Sequence, residues 1–151
     1  MSDRFRYYLR VRYGECDAQK VVFNSRYSDY ADIAGLEFLR AAGLGEAVTV
    51  GGLDYQVVKQ TLEWKSSARF DQVLDISVRA SHLGNTSFSL LAEMRIAGEE
   101  RIVATVETVY VLVAAHTLGK VPLPADFRAA LEQGAKGKTI DHAAYLSSRS
   151  T

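Results

Sequence analysis

One stretch of this chain sets carboxylates just ahead of a helix start: YGECDAQKVVFNSRYSDYADIAGLEFLRAAG, Tyr13 to Gly43. Asp17 stands about seven residues before a segment with helical spacing, and Glu15 and Cys16 immediately precede it. The first turn of a helix has N–H groups without intrahelical acceptors and carries roughly half a positive charge. A carbonyl oxygen placed there is polarised as in an oxyanion hole. A nearby carboxylate can then attack the carbonyl carbon, or activate a water that does so. A thioester suits such sparse machinery, because a thiolate leaves readily and needs no strong general acid. An aspartate in a loop also serves as a turn residue or helix partner, and spacing alone does not separate these roles.

Several elements must hold these residues in place. Phe5, Tyr7, Leu9, Val11 and Tyr13 alternate with Arg4, Arg6, Arg10 and Arg12, and Tyr8 is the exception. A period of two predicts a half-buried strand. Val58, Leu62 and Trp64 repeat the signal, as do Leu74, Ile76, Val78 and Ala80, and then Phe88, Leu90, Ala92, Met94 and Ile96 after a turn at Gly84-Asn85. RIVATVETVYVLVA is apolar on both faces in its second half, as in a central or covered strand. The long helix runs from Ser25 to Ala42, with Asn24 or Ser25 to cap it and Gly43 to end it. Its inner face gathers Tyr27, Tyr30, Ala31, Ala34, Gly35, Phe38, Ala41 and Ala42, and the alanines and glycine among them let a backbone approach a sheet. A shorter helix is predicted from Pro124 to Gly134.

The expected architecture is therefore α+β: a curved, mostly antiparallel sheet of about five strands wrapped around one long helix. Residues 1–135 form the single domain, and the serine-rich 136–151 read as a loosely held C-terminal tail. One helix covers only one sheet face, which predicts a dimer or tetramer. The chain has 151 residues, 48% hydrophobic and 24% charged, with 18 basic and 18 acidic side chains in balance. That balance gives no footprint for nucleic acid. No apolar run approaches the ~18 residues of a membrane span. A single cysteine and no apolar leader segment point to a cytoplasmic protein.

The same residues resemble a family. The pattern Y-G-E-C-D-A-x-x-V-V-F-N-x-x-Y before an alanine-rich helix is similar to the hot-dog-fold acyl-CoA thioesterases of the 4-hydroxybenzoyl-CoA thioesterase type. The likeness continues through SSARFDQVLDISVRASHLGNTSFSL and covers most of residues 4–130. It implies a hot-dog fold and hydrolysis of an acyl-CoA thioester to free acid and coenzyme A. It also implies Asp17 as nucleophile or general base, a helix start near Asn24 to Tyr27 as oxyanion donor, and Tyr27 on the inward helix face. Coenzyme A leaves as product, so no cofactor and no metal are expected. Lys20 stands where the family usually has a glycine, and requires a different turn or a left-handed lysine. Asn24 stands where many members carry histidine or proline.

The other candidates have plainer readings. Glu15 is expected to be solvated or paired with an arginine, and Cys16, with no histidine near, to be packed. His82, His116 and His142 are too widely spaced to suggest a metal site, and His82 falls in phase with the apolar face of its strand. The arginine row Arg4, Arg6, Arg10 and Arg12 reads as a sheet face in solvent, with coenzyme A phosphates as the functional alternative. Tyr30, Phe38, Trp64 and Phe88 are expected in the core. The rival to a hydrolase is a hot-dog module that binds acyl-CoA or acyl carrier protein without turnover.

Overall fold

Alternating segments become strands where the pattern places them. The computed structural model describes residues 3–149. Its strands are β1 (Phe5–Arg10), β2 (Leu53–Trp64), β3 (Val73–Leu83), β4 (Ser87–Ile96), β5 (Ile102–Ala114) and β6 (Thr139–Asp141). Helices are α1 (Arg26–Ala41), α2 (Gly45–Thr49), α3 (Ala125–Gln133) and α4 (Tyr145–Ser148). The six strands form one sheet in the order β2-β5-β4-β3-β1-β6, antiparallel except for the β1–β6 pair. The sequence suggests about five strands; the sixth is too short to show a period. β2 and β3 are neighbours in the chain but lie three places apart in the sheet, so residues 65–72 cross behind the start of α1. No described helix is long and apolar enough to cross a membrane.

Helix α1 fills the concave face. Tyr27, Tyr30, Ala31, Ala34, Gly35, Phe38 and Leu39 are buried, and Asp29, Asp32 and Arg40 are exposed on the opposite side. Small side chains at its centre allow the close approach. Ala34 is completely buried. At Gly35 a β-carbon would already touch Leu90 Cδ1 and the Tyr110 hydroxyl oxygen at 3.6 Å. Replacing Ala34 with leucine should overpack this contact and cost about 1–3 kcal/mol; an unchanged melting temperature would contradict the packing. Gly43, at φ +87°, turns the chain out of the helix in a conformation that other residues reach only under strain. Pro124 is the N-cap of α3, one place before its first helical residue, and left-handed Gly134 closes it.

The carboxy-terminal segment corrects the reading of a loose tail. β6 pairs in parallel with β1 through Arg6–Thr139, Tyr7–Ile140 and Tyr8–Asp141. The Asp141 carboxylate then accepts the N–H groups of Ala143, Tyr145 and Leu146, shaping the turn into α4. Tyr8, the residue that breaks the alternation of β1, packs on the outer side with Val73 and Ala143, its ring 4.9 Å from that of Tyr145. Non-local pairing and an aromatic contact hold what composition alone marks as mobile. Residues 150 and 151 of that segment lie outside the described ones.

Two further expectations change. A register shift between Ala80 and His82 rotates the end of β3, so His82, expected in the core or at an interface, is exposed on this chain and not in its core. Tyr30, Phe38 and Phe88 are core residues, but Trp64, at the end of edge strand β2, is 54% exposed.

Candidate active site

The nine residues from Glu15 to Phe23 fold back on themselves. Glu15 C=O accepts the Phe23 N–H (3.0 Å), and the Asp17 N–H donates to Val21 C=O (2.9 Å). Cys16 and Val22 form the bridge between these rungs. A second ladder lies alongside: Val22 N–H donates to Ala68 C=O (2.9 Å) and Phe70 N–H to Lys20 C=O (3.0 Å). At the tip, Lys20 N–H returns to Asp17 C=O (2.9 Å), and Lys20 itself takes φ +63°. The lysine at the family's glycine position thus adopts the left-handed conformation, a strain that the two ladders hold in place.

Asp17 is exposed at this tip. Its Oδ1 accepts the Gln19 N–H at 2.8 Å, while Oδ2 makes no hydrogen bond among the described residues. One oxygen is therefore held and the other is available. The hairpin shortens the path between Asp17 and the helix: its base is Phe23, three residues before Arg26 opens α1.

At the helix start, Ser25 occupies the N-cap without a side-chain bond, and Asn24 does not cap it either. The Arg26 N–H donates to Phe23 C=O (2.9 Å), and the Ser28 N–H to Ser25 C=O (3.3 Å). Between them, the Tyr27 N–H has no acceptor among the described residues. The Tyr27 side chain turns inward: its hydroxyl oxygen accepts the Ala68 N–H (3.2 Å), and its ring meets Tyr30 edge to face. This side chain braces the crossing segment, and only its backbone faces the approach to the helix. Asn24 is exposed; its C=O accepts Trp64 Nε1–H at 3.0 Å.

Below the hairpin, Glu15 is buried. Strand alternation fails here because Tyr13–Glu15 form a single 3-10 turn that swings the carboxylate inward. Its Oε1 accepts the Arg12 backbone N–H (2.8 Å) and the Tyr30 O–H (2.9 Å); its Oε2 accepts Arg12 Nε–H (2.8 Å). Burial opposes ionisation, but these bonds and the guanidinium charge outweigh it and hold the carboxyl below its ordinary range. Burial and the same bond push the Tyr30 hydroxyl far up. A depressed folded-state value gives stability that is present above the unfolded pKa, about 4.3, and is lost as pH falls through the folded value. The stability advantage of the wild type over Glu15→Gln should accordingly shrink on acidification below that point, read from urea midpoints at successive pH values. A difference constant with pH would contradict it.

Cys16 is partly packed against the core, and burial with the neighbouring Glu15 and Asp17 charges raises its pKa, the opposite of an activated thiol. The arginine row is engaged: Arg4 with Glu93 (2.9 Å), Arg6 with Asp75 (3.0 Å), Arg10 with Asp71 (3.5 Å) and Arg12 with Glu15. His142 Nδ1 lies 2.9 Å from the Tyr7 hydroxyl, remote in sequence from the helix start. Glu15 is paired with an arginine, as one of its two expected readings has it; its burial and its bond to Tyr30 are what sequence reading missed. The cluster's one local signal is the three-residue spacing of Arg12 and Glu15.

Residues 11–131 match the thioesterase-like superfamily. An Escherichia coli protein called acyl-CoA thioester hydrolase YbgC is 31% identical over 97 residues, 64% of this chain and 71% of that protein. Among solved structures, the PA5185 protein of Pseudomonas aeruginosa superposes with a TM-score of 0.80 at 22% identity, over 91% of this chain and 95% of the other. A 1,4-dihydroxy-2-naphthoyl-CoA thioesterase from Synechocystis gives 0.74 at 20% identity, over 84% and 94%. At these identities the structural likeness establishes the hot-dog fold alone.

Proposed function

This chain belongs to the thioesterase-like superfamily, and on that premise we propose that it hydrolyses an acyl-CoA thioester to free acid and coenzyme A. Asp17 supplies the carboxylate, and the start of α1, with the Tyr27 N–H and the exposed Asn24, receives the thioester oxygen. The observation that carries this reading is the Tyr27 N–H, without an acceptor among the described residues, at a helix start whose approach is laddered to the hairpin of Asp17. Negative charge developing on the oxygen meets the helix dipole and that donor. Asp17 Oδ2 either attacks the carbonyl carbon, giving a mixed anhydride and releasing the coenzyme A thiolate before water completes hydrolysis, or takes a proton from the attacking water. The reaction belongs in the cytoplasm, where the lone Cys16 stays reduced.

The bond from Gln19 N–H to Asp17 Oδ1 favours a second reading, in which Asp17 only shapes its turn and the fold binds acyl-CoA or acyl carrier protein without turnover. Thiol release from hexanoyl-, palmitoyl- and benzoyl-CoA separates the two. Turnover of any of them supports the hydrolase; binding without thiol release would support the module.

The active assembly is a homo-oligomer, dimer or tetramer, joined through β2. That strand is a sheet edge, and Val57 and Val58 at its bulge are 53% and 59% exposed, with Trp64 at its end. An exposed apolar edge is a template for pairing with a second copy. Changing both valines to lysine should convert the wild-type oligomer to monomer in light scattering. A monomeric wild type would refute the interface.

A further inference from the structure

We propose that Glu15 is a positioning residue for Asp17: its buried carboxylate ties Arg12, on the segment that leaves β1, to the body of α1, and its backbone carries the first rung of the hairpin that presents Asp17. The inference rests on the reading of Asp17 given above. Every polar group of Glu15 is used. The carboxylate accepts from the Arg12 main chain and guanidinium on one side and from Tyr30, in the second turn of α1, on the other. Its N–H donates to Arg12 C=O and its C=O accepts from Phe23 N–H, each at 3.0 Å. Buried beneath the hairpin, Glu15 does not face a substrate, so any effect on the reaction passes through the Asp17 turn.

The choice of residue supports a geometric role. Burying an ionised carboxylate is costly unless its lone pairs are filled, and an apolar residue of similar volume often stabilises a fold as well or better. What an apolar residue cannot do is fix a direction. Here the Tyr30 bond sets the hairpin against the helix, and the Arg12 bonds set it against the segment that leaves β1. Only Cys16, packed and bridged to Val22, separates the anchor from Asp17. Misplacing a reacting group by about 1 Å can cost ~100-fold in rate, so an anchor of this kind should act on kcat.

The test compares kcat and KM of the wild type, Glu15→Gln, Tyr30→Phe, Asp17→Asn and the double variant Glu15→Gln/Asp17→Asn, on whichever of hexanoyl-, palmitoyl- or benzoyl-CoA turns over fastest. Glu15→Gln should lower kcat about tenfold with KM within about twofold, and Tyr30→Phe should lower it about threefold. In the Asp17→Asn background Glu15→Gln should cost nothing further, because the residue acts only through Asp17. Amide exchange at Asp17 and Phe23 should quicken in both single variants while the core amides of β4 hold steady. Wild-type kcat in both single variants, an additive loss in the double variant, or unchanged exchange at the two amides would each overturn the proposal. Should Glu15→Gln fail to fold, Tyr30→Phe carries the same comparisons, alone and combined with Asp17→Asn. Full turnover by Asp17→Asn would instead overturn the role of Asp17, and the function of Glu15 with it, whatever the exchange shows.

Discussion

Replacing Phe88 with alanine is expected to destabilise the fold by about 3–5 kcal/mol, the range for removing a fully buried aromatic ring. Phe88 lies on β4 with no exposed surface. Its ring stacks on Tyr110 of β5 at 5.2 Å and meets Phe127 of α3 at 5.6 Å and Tyr55 of β2 at 6.2 Å. Four elements therefore share one side chain. Removing it leaves a cavity that none of them can close without losing its own contacts, since the surrounding rings are held by one another and by the sheet ladders. In a domain of this size each kcal/mol corresponds to about 2–4 °C of melting temperature, so Phe88→Ala should melt far below the wild type. Phe88→Leu, which refills most of the volume, should recover much of the loss. A melting temperature for Phe88→Ala close to that of the wild type would mean that this cluster is not the keystone joining β2 and α3 to the central strands.

The sequence carries most of the fold because its strands bury one face each. Phe5, Tyr7 and Leu9 could be assigned to the core from alternation alone, and Gly84-Asn85 marks the β3–β4 hairpin because few residues turn so tightly. Tyr8 held information that alternation could only register as an exception. An aromatic on the outer face of an arginine-lined strand needs a cover, and residues 139–149 supply it. That cover was illegible because three residues pairing across more than a hundred positions leave no periodic trace. β2 was legible as a strand but not as an edge: periodicity identifies a pleat, not its neighbours. At the candidate site, Lys20 announced either a different turn or a left-handed residue, and the structure contains the second. Glu15 did not announce its burial, because its direction depends on a 3-10 turn and on Tyr30, which only the folded helix brings within 2.9 Å. The Tyr27 N–H, without an acceptor among the described residues, is likewise a property of how Phe23 and Asn24, the carbonyls four and three places behind it, are taken by Arg26 and Trp64, and no residue type encodes it.

Asp17→Asn should leave the fold intact and remove the chemistry. Asparagine keeps the side-chain oxygen that accepts the Gln19 N–H, so the hairpin tip and its two ladders remain. Asn24, Tyr27 and the helix start are untouched, and acyl-CoA should still bind with a similar affinity. What is lost is the negative charge. A neutral amide neither attacks a thioester carbonyl nor accepts a proton from water at neutral pH, so both versions of the mechanism fail together. Rate differences of this origin are large: a 100-fold loss corresponds to about 2.7 kcal/mol of barrier.

The most direct measurement is the rate of coenzyme A thiol release by wild type and Asp17→Asn, on the acyl-CoA that the wild type turns over fastest, with melting curves of both. The account predicts a fall in kcat of at least about 100-fold in a variant that melts with the wild type and still binds acyl-CoA. A folded Asp17→Asn that releases thiol at the wild-type rate would contradict it, and would make Asp17 a turn residue in front of a site whose carboxylate lies elsewhere.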